Sequence, residues 1–200
     1  MMKKTILMCV AACLAFAAYA QDPAKFGLKG GLNLSRLDFS NNANSDYRTG
    51  FHFGGLAHIH LTPSFSLQPE IYFSTQGAEY EAGNNDMEEK LSYINIPLLL
   101  QYNFANGFRL QAGPQLGVLV DSEVEVNGVE TNTSSNNYNN VDFSIPLGLS
   151  YLGYSGFGVD ARFNLGLSNV YENNAIKSKN QVIQLGIFYL FDHRHKAKSR

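Results

Sequence analysis

Three histidines and six charged residues stand where chemistry could begin. His52, His58 and His60 share one parity in a stretch that alternates polar and apolar residues. In an extended chain His58-x-His60 holds two imidazoles about 7 Å apart on one face, close enough to share a metal ion. The pattern offers no third ligand: across a turn at Thr62-Pro63-Ser64 the facing positions are Ser66 and Gln68, with Glu70 one step further. The expectation is that these histidines are hydrogen-bonded in a polar interior and hold no metal. Lys29, Glu70, Arg109, Asp142, Asp160 and Arg162 fall on the same polar face of their own segments. Charges gathered in a cavity can serve acid–base catalysis. Three cations and three anions turned into one confined space can instead pair into a network that fills it, and burial demands such pairing. No Ser, His and acid constellation accompanies them, so neither an enzyme nor a cofactor is expected.

The segments that carry these residues alternate with a period of two from Phe26 onward. Eight strands follow, near 26–35, 50–62, 65–77, 91–104, 108–120, 141–151, 157–168 and 180–191. In the sixth, Val141, Phe143, Ile145, Leu147, Leu149 and Tyr151 alternate with Asp142, Ser144, Pro146, Gly148 and Ser150. A helical period would mix the two sets, so the chain is read as all-β. Short connections near Thr62-Pro63-Ser64, Ala105-Asn106-Gly107 and 152–156 alternate with long ones near 36–49, 78–90, 121–140 and 169–179. Phe104 and Phe108 lie on one face, so the three-residue loop between them fits a type I turn closed by a bulge at Gly107. Strict alternation of short turns and long loops is the pattern of a closed antiparallel eight-stranded transmembrane β-barrel, with short periplasmic turns, long extracellular loops and both termini in the periplasm.

Alternation alone does not say which face is outside. A secreted, lipocalin-like carrier of a small apolar ligand would line its cavity with the apolar face. Strand length, the small residues of the polar face (Gly27, Gly31, Gly54, Gly113, Gly117, Ser144, Gly148, Gly158, Gly166) and the aromatics Tyr102, Phe104, Phe108, Tyr151, Phe157, Tyr189 and Phe191 beside the short turns favour lipid outside. An eight-stranded lumen has room only for side chains, so an open pore is not expected.

The chain ends fit export. Met1–Ala20 has Lys3 and Lys4, an apolar run from Ile6 to Ala18 and Ala18-Tyr19-Ala20 before Gln21, the layout of a secretory signal peptide. Residues 21–191 are then the barrel domain and 192–200 a basic tail. Cys9 and Cys13 leave with the signal; Val10-Ala11-Ala12-Cys13 fits a lipoprotein signal only loosely, because the apolar run before it would be too short. Fifteen basic against seventeen acidic residues, net −2, argue against a nucleic-acid surface. Beyond residue 20 no apolar run is long enough for a helical span.

The last strand, Gln184-Leu185-Gly186-Ile187-Phe188-Tyr189-Leu190-Phe191, resembles the C-terminal assembly signal of bacterial outer-membrane barrels through Gln184, Gly186, Tyr189 and Phe191, although nine residues follow Phe191. Further segments are similar to the PorT-like family of small outer-membrane β-barrel proteins. They are 26–35, Gly50-Phe51-His52-Phe53-Gly54-Gly55, 67–74, Tyr93-Ile94-Asn95-Ile96-Pro97-Leu98-Leu99, Ala112-Gly113-Pro114, 160–166 and the final strand. That resemblance implies an outer-membrane location and an eight-stranded barrel, and no particular activity; a monomer in outer-membrane lipid, inserted by the barrel-assembly machinery, is the accompanying expectation. The long loops are the expected contact surface for a protein partner. Residues 78–90 and 121–140 are strongly acidic without recognisable calcium-ligand spacing, and Val124–Thr131 reads as a hairpin on an Asn127-Gly128 turn.

Overall fold

In the computed structural model, residues 24–39, 45–82, 85–131, 138–171 and 178–191 are described. The signal segment and the basic tail lie outside them. Ten strands run in chain order: β1 (Lys25–Phe39), β2 (Arg48–His60), β3 (Phe65–Ala82), β4 (Asn85–Asn103), β5 (Phe108–Ala112), β6 (Gln115–Val126), β7 (Val129–Thr131), β8 (Val141–Leu152), β9 (Phe157–Gly166) and β10 (Ser178–Leu190). All pairings are antiparallel, and β1 pairs with both β2 and β10, so the sheet closes on itself.

Nine strands form the ring, but β5 and β6 are two halves of one stave. Both pair with β4 and both with β8, and they are separated at Gly113-Pro114. Pro114 has no N–H to give to the ladder, yet its carbonyl still accepts from Leu98 N at 2.9 Å, so the wall bends there without opening. Eight staves result, as the alternation of turns requires.

The inward and outward faces follow parity. Phe26, Leu28, Leu32, Phe53, Ile71, Leu110, Phe143, Val159, Leu185 and Ile187 are exposed, while Asn33, His52, Ser66, Gln101 and Gln184 are buried. This inversion excludes the lipocalin-like arrangement, in which the apolar set would line the cavity. Aromatics collect on the outer wall at the short-turn end, with Phe65 against Tyr102, Phe108 against Tyr151 and Phe157 against Tyr189 at ring separations of 5.2–6.0 Å. The Ala105–Gly107 loop closes as the parity predicts: Phe104 N donates to Phe108 O at 2.9 Å and Gly107 takes φ +91°.

The ends of the barrel differ from the expected loops. The acidic stretch 78–90 continues β3 and β4 as a ladder out to Ala82↔Asn85. β4 carries β6 with it as far as Met87↔Val126. β7 folds back on β6 through Asn127 (φ 52°) and Gly128 (φ 77°), the hairpin read from the sequence. A four-stranded sheet, β3–β4–β6–β7, therefore projects beyond the apolar belt at the long-connection end. Charged residues kept the alternation of these strands after their apolar face had ended, which is why composition alone read them as a loop.

Candidate functional site

Parity turns the polar face of every stave into the lumen, and the lumen resolves into three layers. In the middle one, β3 supplies Glu70, β1 Lys29, and β9 Asp160 and Arg162. Arg162 donates to Glu70 through Nη1 and Nη2, each at 2.7 Å, a bidentate fork. Lys29 Nζ donates to Glu70 Oε2 at 3.1 Å and Gln68 Nε2 to Oε1 at 2.7 Å, leaving neither carboxylate oxygen open. Asp160 lies 2.8 Å from Arg162 Nε and 3.8 Å from Lys29 Nζ. Two cations thus face two anions with their side chains at 0–2% exposure. Pairing of this quality is what lets full charges persist away from water.

Tyr72 extends the layer. Lys29 Nζ sits 4.8 Å from its ring centre, and its hydroxyl donates to Gln115 Oε1 at 2.7 Å. Gln184 Nε2 and His52 Nδ1 both meet Asn33 Oδ1, at 3.1 and 2.8 Å. Gly186 makes this possible: a Cβ there would stand 2.9 Å from Asp160 Oδ1 and 3.0 Å from His52 Nε2.

Lys29, His52, His58, Glu70, Arg109, Asp142, Asp160 and Arg162 are all buried, and His60 is half-buried. The single network of three cations and three anions is a correction. Only Lys29, Glu70, Asp160 and Arg162 come together. Asp142 accepts from Ser168 Oγ at 2.6 Å near the hairpin end, while Arg109 faces Ser150 in the ladder near the turn end. Both Asp142 and Ser150 belong to β8, and eight residues of strand separate them by about 26 Å. Sharing a face does not bring residues to one level.

The outer layer at the hairpin end holds a site that the sequence reading missed. Leu37, Ala78, Leu91, Tyr93, Tyr138 and Val170 form a buried cluster, with Tyr80 and Tyr171 packed against it. Glu89 lies wholly buried among them. Tyr171 donates to its Oε2 at 2.7 Å and Tyr80 at 3.4 Å, and Oε1 has no partner. No cation among the described residues offsets the charge, so burial pushes the Glu89 carboxyl above the usual carboxylate range against the pull of the tyrosine hydroxyls. Burial, and after it the Glu89 carboxylate, push the Tyr80 hydroxyl up to about 12. Glu89 shares parity with Leu91, Tyr93 and Asn95, so following the alternation past Leu91 would have found it.

At the turn end, Leu56, Leu152, Phe188 and Leu190 form a second apolar cluster inside the ring. His58 and His60 pack edge to face at 4.6 Å. The register places His60 opposite Ser66, as inferred. No group of three or more metal-ligating residues exists among the described residues, in this layer or in the hairpins. Gln184 of β10 is buried in the lumen whereas Tyr189, and Phe191 just after the strand, are exposed on the outer wall, so these residues present two faces.

A closed sheet with an apolar outside, an aromatic belt and a charge-paired inside defines a membrane-spanning β-barrel. The chain belongs to the outer membrane protein beta-barrel domain family, whose model matches residues 19–172. Its place is accordingly the outer membrane. Among solved structures it is similar to Neisserial surface protein A, at 14% identity and TM-score 0.53, covering 84% of this chain and 99% of that one. It is likewise similar to Ail, the attachment invasion locus protein of Yersinia pestis, at 14% identity and TM-score 0.50 with the same coverage. A second Ail structure, in complex with the heparin analogue sucrose octasulfate, matches at 13% identity and TM-score 0.51. These likenesses concern the fold. Comparison with curated proteins gives no match.

Proposed function

We propose that the chain is a non-enzymatic, monomeric barrel that presents the β3–β4–β6–β7 sheet at the cell surface as a contact surface for another protein. In this reading the short-turn end and both termini are periplasmic. The last strand, with Gln184, Gly186, Tyr189 and Phe191, is what the assembly machinery reads. The PorT-like subfamily is the one to which the quoted segments point.

The observation that carries this reading is the contrast between a blocked lumen and an ordered, solvent-facing sheet. Both oxygens of Glu70 are occupied and apolar clusters stand on either side of the charged layer, so transport and acid–base chemistry have no evident place there. Outside, Glu79, Asp86 and Glu88 on one hairpin and Asp121, Glu123 and Glu125 on the other outnumber the cations beside them, Arg48 pairing with Glu88 and Lys90 with Glu125. Such a surface favours a basic partner and repels a polyanion such as the heparin analogue held by Ail.

Labelling of whole cells tests the orientation. The chain has no cysteine after Cys13, so single variants Gly128→Cys and Asn106→Cys report on the two ends. A membrane-impermeant maleimide should label the first in intact cells and the second only after lysis. Labelling of Asn106→Cys in intact cells would overturn the reading.

A further inference from the structure

In the turn-end layer, the charge of Arg109 has no described carboxylate to balance it. Arg109 is buried, its Nη1 has no hydrogen-bond partner, and no described carboxylate lies within ion-pairing distance of it. His58 is fully buried; neither ring nitrogen has a partner of good hydrogen-bond geometry, and the Gln68 amide, whose Oε1 is itself unpartnered, bears on the ring. The ionisable groups acting on His58 are Arg109, His60 and Lys25, every one of them basic. Gln111 Nε2 and Ser150 Oγ, both buried, are further donors without a partner. The middle layer shows what the same lumen does with charge when it can, which is to pair it two against two.

Water could satisfy the stray donors but not the charge. A buried guanidinium is stable when an anion shares its site, and its planar fork matches two oxygens of a carboxylate or phosphate. The layer lies next to the end of the barrel. Lys25, His60 and Asn103 are half-buried at its rim, whereas Leu152, Phe188 and Leu190 close the other side of the ring.

We propose that Arg109 and His58, with Gln111 and Ser150, form an anion site at the short-turn end of the lumen that binds a phosphate group. The group comes from free phosphate or from a phospholipid headgroup at the adjoining membrane surface, and both sources offer the same oxygens to the same donors. The site is separate from the Glu70 network and from the hairpin sheet, and it does not depend on which end faces the periplasm.

The test uses the full chain refolded in neutral detergent micelles without phosphate, followed by the temperature at which the compact, fast-migrating form is lost on a gel. Inorganic phosphate, added at ionic strength held constant with chloride, should raise that temperature saturably, by about 5–10 °C at a hundredfold excess over Kd. Arg109→Gln should abolish the rise, and His58→Gln should weaken it. Without phosphate, Arg109→Gln should melt no lower than the wild type, because it removes an unbalanced charge. In vesicles of phosphatidylglycerol or phosphatidylcholine without added phosphate, each of which carries a phosphodiester, a gap between wild type and Arg109→Gln that is absent from the micelles identifies the headgroup as the source. A gap that needs added phosphate in both lipids identifies the free ion. Equal shifts in wild type, Arg109→Gln and His58→Gln, or no shift and no lipid-dependent gap, would overturn the proposal.

Discussion

Glu70 and Glu89 are both carboxylates buried inside the same barrel, yet they are stabilised in opposite ways. Glu70 takes a bidentate arginine, a lysine and an amide, so its charge is met by charge. Glu89 has only tyrosine hydroxyls, and one of its oxygens has no partner. The difference follows from position. Glu70 lies at the level where β1 and β9 can reach across a narrow lumen, whereas Glu89 lies where the ring meets an aromatic cluster that contributes no cation. Charge pairing holds the middle of the molecule together, and neutral donors leave the hairpin end open to titration.

The largest effect should come from breaking the pairing itself. Arg162→Ala leaves Glu70 and Asp160 facing each other with Lys29 alone, and should cost about 3–5 kcal/mol in urea unfolding of the refolded barrel. Glu70→Gln combined with Arg162→Met should recover part of that loss, since it removes both members of the central pair. A single change as harmful as the double would show that the network is worth little. Next in size is Gly158→Ala. Its Cβ would run into the Phe188 ring, so the apolar cluster at the turn end must shift, at about 1–3 kcal/mol by the same assay.

Glu89 should give a smaller effect with a pH signature. Because its folded-state pKa stands above the unfolded value, its contribution to stability is full below the ordinary carboxylate range and is lost as pH rises through the raised value. Wild-type stability should therefore climb on acidification from neutral pH. Glu89→Gln should flatten that climb and match or exceed the wild type by about 1 kcal/mol at neutral pH. A parallel pH profile in the variant would remove Glu89 from the account. Smallest of all, Gly128→Ala puts a side chain at φ 77° and should cost about 0.5–1 kcal/mol, visible as faster amide exchange confined to β6 and β7.

Much of this was legible in the chain. Parity alone turned Lys29, Glu70, Asp160 and Arg162 inward, and the Ala105–Gly107 and Asn127–Gly128 turns declared themselves through loop length and glycine placement. Depth was not legible. Stagger between staves decides which inward residues share a level, and no single strand carries that information, so Arg109 and Asp142 were grouped with partners they do not meet. Tyr72 was hidden between Ile71 and Phe73, where it reads as part of an apolar run although its parity matches Glu70. Glu89 was hidden because acidic composition outweighed a weak continuing alternation.

The central claim is that side chains close the lumen to passage from one end to the other, so that contacts are made at the ends of the barrel and on its outside. Current through planar bilayers containing the refolded wild-type barrel tests it most directly. The account predicts no steady conductance, for the wild type and for Arg162→Ala alike, because the apolar clusters at both ends remain when the charged layer is weakened. A reproducible ohmic unit conductance in the wild type would contradict it and make the charged layer a selectivity filter.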